Sequence, residues 1–165
     1  MFKSVSIILF SIFFTLTASN ALATKVGDAA PNFTAATLDG QRSIDSTELA
    51  GKIVFVDFWA SWCPPCLKSL PEFEQLQTSF ANRDDVVVLA INLDENKKSA
   101  IKFANKLNVT YELLADNTGQ IPSAFGVKAM PSSYIIDKQG VIRYVHKGYK
   151  SGDVSIIKSE IEKLL

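Results

Sequence analysis

Cysteine is scarce in this chain: two residues in 165, with one histidine and two methionines. That excludes the multiply bridged scaffold on which small exported proteins rely, so a hydrophobic core has to hold the fold. Charge of either sign is not in excess, with 17 Lys and Arg against 17 Asp and Glu. A balanced surface lacks the electrostatic footprint of a nucleic-acid binder or of a protein held on anionic lipid. Internal repeats, low-complexity tracts and linkers are also missing, which leaves one domain with a proper core as the economical organisation at this length. The N-terminal apolar run, Val5 to Leu16, falls short of the ~20 residues that span a bilayer comfortably.

That run has the character of a leader. Lys3 is the only charge among the first 24 residues, and Ala21-Leu22-Ala23 fits the small-x-small rule for cleavage. Residues 1–23 are therefore expected to be a signal peptide, with a retained membrane anchor as the less favoured reading, and residues 24–165 the exported domain. No cysteine lies near the cleavage site, which argues against a lipoprotein anchor. The expected location is the periplasm or the extracytoplasmic face.

The two cysteines stand three residues apart in Trp62-Cys63-Pro64-Pro65-Cys66, directly after the apolar run Ile53 to Phe58. Side chains at i and i+3 of a first helical turn can form a reversible disulfide, so a C-x-x-C pair between strand and helix has the arrangement of a thiol–disulfide redox centre. The alternative is an inert surface bridge, but a loop this short constrains the unfolded chain little and would stabilise little.

Along the rest of the chain the pattern alternates. Asn32 to Leu38 reads as a short strand entering a turn at Asp39-Gly40, and Asp45 to Gly51 as a brief helix stopped by glycine. Ile53 to Trp59 is nearly continuous apolar sequence, which suits a central parallel strand covered on both faces. A helical pattern follows to about Phe80, then a buried strand over Val86 to Ile91 and an amphipathic helix from Lys97 to Leu107. Ser133 to Ile136 and Val141 to Val145 form a hairpin across Asp137-Lys138-Gln139-Gly140, and Ser151 to Leu165 a closing helix. This order implies an α/β fold, a mixed sheet flanked by helices.

Val26 to Leu165 resembles the thioredoxin superfamily and, within it, the exported TlpA/ResA-like branch that includes cytochrome c biogenesis thioredoxins. The resemblance rests on Val56-Asp57-Phe58-Trp59-Ala60-Ser61-Trp62-Cys63-Pro64-Pro65-Cys66, on Pro71 five residues past the second cysteine, on Ala129-Met130-Pro131-Ser132, and on the opening Gly27-Asp28-Ala29-Ala30-Pro31-Asn32-Phe33. It implies a thioredoxin-like sheet of four or five strands, a redox-active Cys63–Cys66 disulfide, a cis peptide bond before Pro131, and thiol-disulfide oxidoreductase activity.

Physical chemistry assigns roles within that frame. A cysteine at a helix N-terminus faces the positive end of the macrodipole, so Cys63 is the attacking sulfur and Cys66, one turn inside, the resolving one. Neither Pro64 nor Pro65 has an N–H to give the Cys63 thiolate, which leaves the Cys66 N–H as the first amide available on the turn. Thiolate stabilisation is then moderate, and the centre leans toward a reductant of protein disulfides. Asp57 stands in an apolar strand, where a carboxylate is costly unless neutralised or used. It reads as a general base for Cys66, as the matching aspartate is in thioredoxins, or as a hydrogen-bonded structural Asp. A cis Pro131 would present the Met130 backbone to a substrate, Trp62 would line the substrate groove, Trp59 would pack, Pro71 would kink the helix, and His146 reads as an exposed strand residue.

The expected substrates are protein thiols and disulfides, with a membrane or periplasmic thiol as electron donor. No cofactor beyond the Cys63–Cys66 disulfide, no metal and no nucleic acid is expected, and the chain reads as a monomer. Cytochrome c biogenesis members often carry an acid inside the C-x-x-C or just after the cis-proline, where this chain has Pro64 and Ser132. Two other classes compete. A peroxiredoxin shares the type of opening at Gly27 to Phe33 but needs a threonine where this chain has Ala60. A copper chaperone on a related fold would use Cys63, Cys66 and His146 for Cu(I), though its cysteines are usually three residues apart rather than two.

Overall fold

The computed structural model describes residues 24–165, so the expected leader lies outside the described residues. Seven strands form one mixed sheet in the order β2-β1-β5-β4-β3-β6-β7. Its centre is β3 (Ile53–Trp59), parallel to β4 (Val86–Asn92) and antiparallel to β6 (Ser132–Ile136). Every residue of β3 is buried, as its unbroken apolar sequence requires of a strand covered on both faces.

Side chains alternate across the sheet. Ile53, Phe55 and Trp59 of β3 point into a core shared with Cys66, Leu70, Phe73 and Leu76 of α1 (Pro64–Ser79), Ala100 of α2 (Lys97–Lys106), and Ile157 and Ile161 of α4 (Asp153–Glu162). Phe55 and Phe73 meet edge to face at 4.9 Å. Val54, Val56 and Phe58 point the other way, with Phe125 and Tyr134, over the short α3 (Gln120–Ala124). Each such large apolar side chain contributes roughly 2 kcal/mol by leaving water.

The sheet is wider than the four or five strands expected. The strand expected within Asn32 to Leu38 is β1 (Thr34–Thr37), and the two additional strands are short: β2 (Ser43–Asp45) forms an edge hairpin with β1, and β5 (Glu112–Ala115) pairs with β1 through two residue pairs. Three or four residues are too few for a period to show in sequence. Asp45 ends the hairpin by capping the 3-10 turn Ser46–Leu49, its carboxylate accepting from the Thr47 amide.

The C-terminal hairpin forms where expected, between β6 and β7 (Ile142–Lys147). Asp137 builds its turn, accepting from the amides of Gln139 and Val141 and from Arg143 Nε. Gly140 takes φ +77° there, a value that favours glycine. None of the helices among the described residues is long and apolar enough to cross a membrane.

Candidate active site

The site lies at the C-terminal end of β3, where the chain leaves the sheet and turns into α1. Cys63 is the N-cap of that helix, and Pro64 and Pro65 fill its first turn, a place where the missing proline N–H groups break no helical bond. The Cys63 and Cys66 sulfurs are bonded at 2.00 Å, with the Cα atoms 5.3 Å apart. The Cys66 amide donates to Cys63 Sγ at 3.3 Å, the contact the two prolines leave open. Both cysteines are buried, Cys63 at 5 % exposure and Cys66 at 0 %. The outer sulfur is therefore the one with a surface for a partner to reach.

A groove of about 690 Å³ opens beside Cys63 and is lined by Trp62, Pro64, Pro65, Pro122 and Met130 among others. Trp62 is 65 % exposed, although it is large and apolar. The Met130–Pro131 bond is cis, and β6 begins at the next residue, so the fold brings Met130 from the far side of the chain to the disulfide.

Asp57 sits on the face of β3 that packs against α1, between Phe55 and Trp59. It is fully buried. Ser133 Oγ donates to its Oδ1 at 2.8 Å, while Oδ2 has no hydrogen-bond partner among the described residues. Burial pushes the carboxyl up to about 8, against the lowering effect of Ser133 and the Phe58 backbone. A carboxyl raised this far stands near the neutral range, where acid–base work requires its group to be.

Two supports escaped the sequence reading. Asp94, buried after β4, accepts from the Ser61 amide at 2.8 Å, the Ser61 hydroxyl at 2.7 Å and Asn92 Nδ2 at 2.7 Å, and so holds the turn that delivers Trp62 and Cys63. Asp116 accepts from the Thr118, Gly119 and Ile121 amides and fixes the groove wall at α3. The available signal was position: polar residues at the C-terminal ends of parallel strands border the crevice of an α/β sheet.

His146 corrects the expectation of an exposed residue. It is half-buried on β7, with Nε2 2.9 Å from Asp153 Oδ2 and its ring stacked on Tyr144. Pro71 lies inside α1 as expected.

Comparison with known proteins agrees with this geometry. Residues 26–145 match the AhpC/TSA family. The thiol-disulfide oxidoreductase ResA of Geobacillus thermodenitrificans is 34 % identical over 126 residues, covering 76 % of this chain and 71 % of that one. The thioredoxin-like protein YneN of Bacillus subtilis is 34 % identical over 142 residues, 84 % and 78 % of the two chains. Among solved structures, a proposed DsbE thiol:disulfide interchange protein from Chlorobium tepidum superposes with a TM-score of 0.80 at 32 % identity, covering 86 % of this chain and 99 % of that one. A buried pair of cysteines at a helix start, in a chain this similar to disulfide-exchange enzymes, makes the protein a thioredoxin-fold thiol-disulfide oxidoreductase belonging to the AhpC/TSA family.

Proposed function

We propose that the protein is exported by its N-terminal leader and acts in the cell envelope as a reductant of protein disulfides. The observation that carries the direction is the bond from the Cys66 amide to Cys63 Sγ. It is the one amide donor to that sulfur among the described residues, because Pro64 and Pro65 have none to give. A weakly supported thiolate makes the dithiol a better electron source than that of a strongly oxidising centre.

The cycle begins with the dithiol form. The Cys63 thiolate attacks a substrate disulfide, forming one mixed disulfide and releasing one substrate thiolate. Cys66, losing its proton to Asp57, attacks Cys63 Sγ and releases the second substrate thiolate. The substrate gains two electrons, and the Cys63–Cys66 disulfide remains to be reduced by a dithiol donor at the membrane or in the periplasm. Trp62, Met130 and Pro131 hold the substrate segment beside Cys63. Pro64 and Ser132, where an acid is often found in cytochrome c biogenesis relatives, favour general disulfide reduction over a haem-dedicated pathway.

Two measurements test this. Alkylation of the reduced protein near neutral pH modifies Cys63 much faster than Cys66; equal rates overturn the assignment of the nucleophile. Equilibration with glutathione leaves the pair mainly oxidised where a strong oxidant would be reduced; a pair that stays predominantly dithiol under those conditions reverses the direction of flow.

A further inference from the structure

The charged side chains that line the two grooves beside the disulfide are all of one sign, although the chain as a whole is balanced. Pro64 and Pro65 separate two grooves. On one side is the groove already described, with Lys128 in its wall. On the other is a second hollow of about 580 Å³, lined by Lys68, Tyr149, Lys150 and Ser151. Lys68, Lys128 and Lys150 are all exposed, and among the described residues none of their ammonium groups is in an ion pair or a hydrogen bond to protein. Acidic side chains line neither groove.

Acids behind these walls keep their charge but are less exposed than the lysines, and their hydrogen-bond donors are hydroxyl, amide and imidazole groups. Glu72 accepts from the Tyr149 hydroxyl, Asp153 from the Lys150 backbone amide while facing His146, and Asp94 from Ser61 and Asn92. Three exposed ammonium groups, without an ion-pair partner among the described residues, thus stand in the walls of the two grooves that flank Pro64 and Pro65, the residues that follow Cys63. The charges stand in exposed rims where they steer encounter rather than deep in a site where their desolvation would be costly.

We infer that Lys68, Lys128 and Lys150 form a positive collar around Cys63 and select protein substrates whose disulfides lie in acidic segments. This rests on the reductant reading above and adds the chemistry of the substrate to it. The collar acts before any bond changes, by raising the frequency of productive encounter, so its signature is in kcat/KM and in salt dependence.

The test uses the reduced full-length protein and three synthetic peptides that differ only at the residues flanking one disulfide: aspartates, serines or lysines. At low ionic strength the acidic peptide is reduced about tenfold faster than the basic one, the serine peptide falling between. Added salt draws the three rates together. Replacing the collar with K68S, K128S and K150S removes the ratio, and K68E, K128E and K150E inverts it. Reduction of all three peptides at one rate, or a ratio that survives both triple variants, overturns the collar while leaving the reductase intact. Failure to reduce any of the peptides overturns the reductase reading itself.

Discussion

Ser133 and Asp57 stand directly opposite each other across the β3–β6 pair, and the serine hydroxyl donates to one carboxylate oxygen at 2.8 Å. The cross-strand register therefore decides which oxygen of Asp57 is held and which is free. The free one is Oδ2, on the face of the sheet that α1 and Cys66 cover.

Asp57→Asn tests the proton-transfer role. The variant resolves mixed disulfides more slowly while the first attack by Cys63 is nearly unchanged, as stopped-flow kinetics that follow the two steps separately would show. Resolution at the parent rate across neutral pH makes Asp57 structural.

The same group sets a pH dependence of stability. Its folded pKa, about 8, is above the ordinary aspartate value of about 4. Between those values the folded protein holds a proton that the unfolded chain has lost. Stability is thus fully present below about pH 4 and falls as pH rises toward 8. Asp57→Asn flattens that slope and is more stable than the parent by a few kcal/mol, roughly, at pH 9. Parallel urea-unfolding curves for the two proteins between pH 5 and pH 9 would refute the linkage.

Ser133→Ala removes the side-chain bond that lowers the Asp57 pKa. The pH profile of the resolution step moves upward by about one unit, since a hydrogen bond to a charged group contributes on the order of 1.5 kcal/mol. A profile that stays in place means the serine does not act on the carboxylate.

Pro65→Ala restores an amide to the first turn of α1, next to the one that already reaches Cys63 Sγ. The added donor favours the thiolate, and the potential becomes more oxidising by about 10–30 mV. Glutathione equilibration reads this directly, and a shift toward a more reducing value contradicts the amide argument.

Asp94→Ala leaves the Ser61 amide and hydroxyl and the Asn92 side chain without their acceptor. A loss of about 2–4 kcal/mol is expected by denaturant unfolding, with slower attack by Cys63 because the turn before it is no longer held. A variant as stable as the parent would show that the loop is fixed elsewhere.

The redox pair and its helix, the central strand and the C-terminal hairpin were legible in sequence because each has a local cause. Cys63, Pro64, Pro65 and Cys66 are contiguous, β3 is an unbroken apolar run, and Asp137 to Gly140 carry turn chemistry of their own. β1 was legible within Asn32 to Leu38, but β2 and β5 were not, since strands of three or four residues take their identity from neighbours they pair with. The His146–Asp153 contact was hidden for a different reason: it depends on how β7 and α4 pack, and a single histidine has no period. Asp94 and Ser133 act through a register that emerges only once the strands have paired.

The short hairpin also determines how the sheet ends. A sheet edge is a row of open amides and carbonyls on which another extended chain can add a strand. Here one edge is β2, three residues long, and the other is β7, whose start is covered by residues 27–30, bonded to Ile142 and Gly140, and which exposes Arg143 and Lys147. An enzyme that acts on protein thiols and disulfides meets segments of other chains with each turnover, and an edge so brief on one side, with one partly covered and charged on the other, gives those segments little ladder on which to stay.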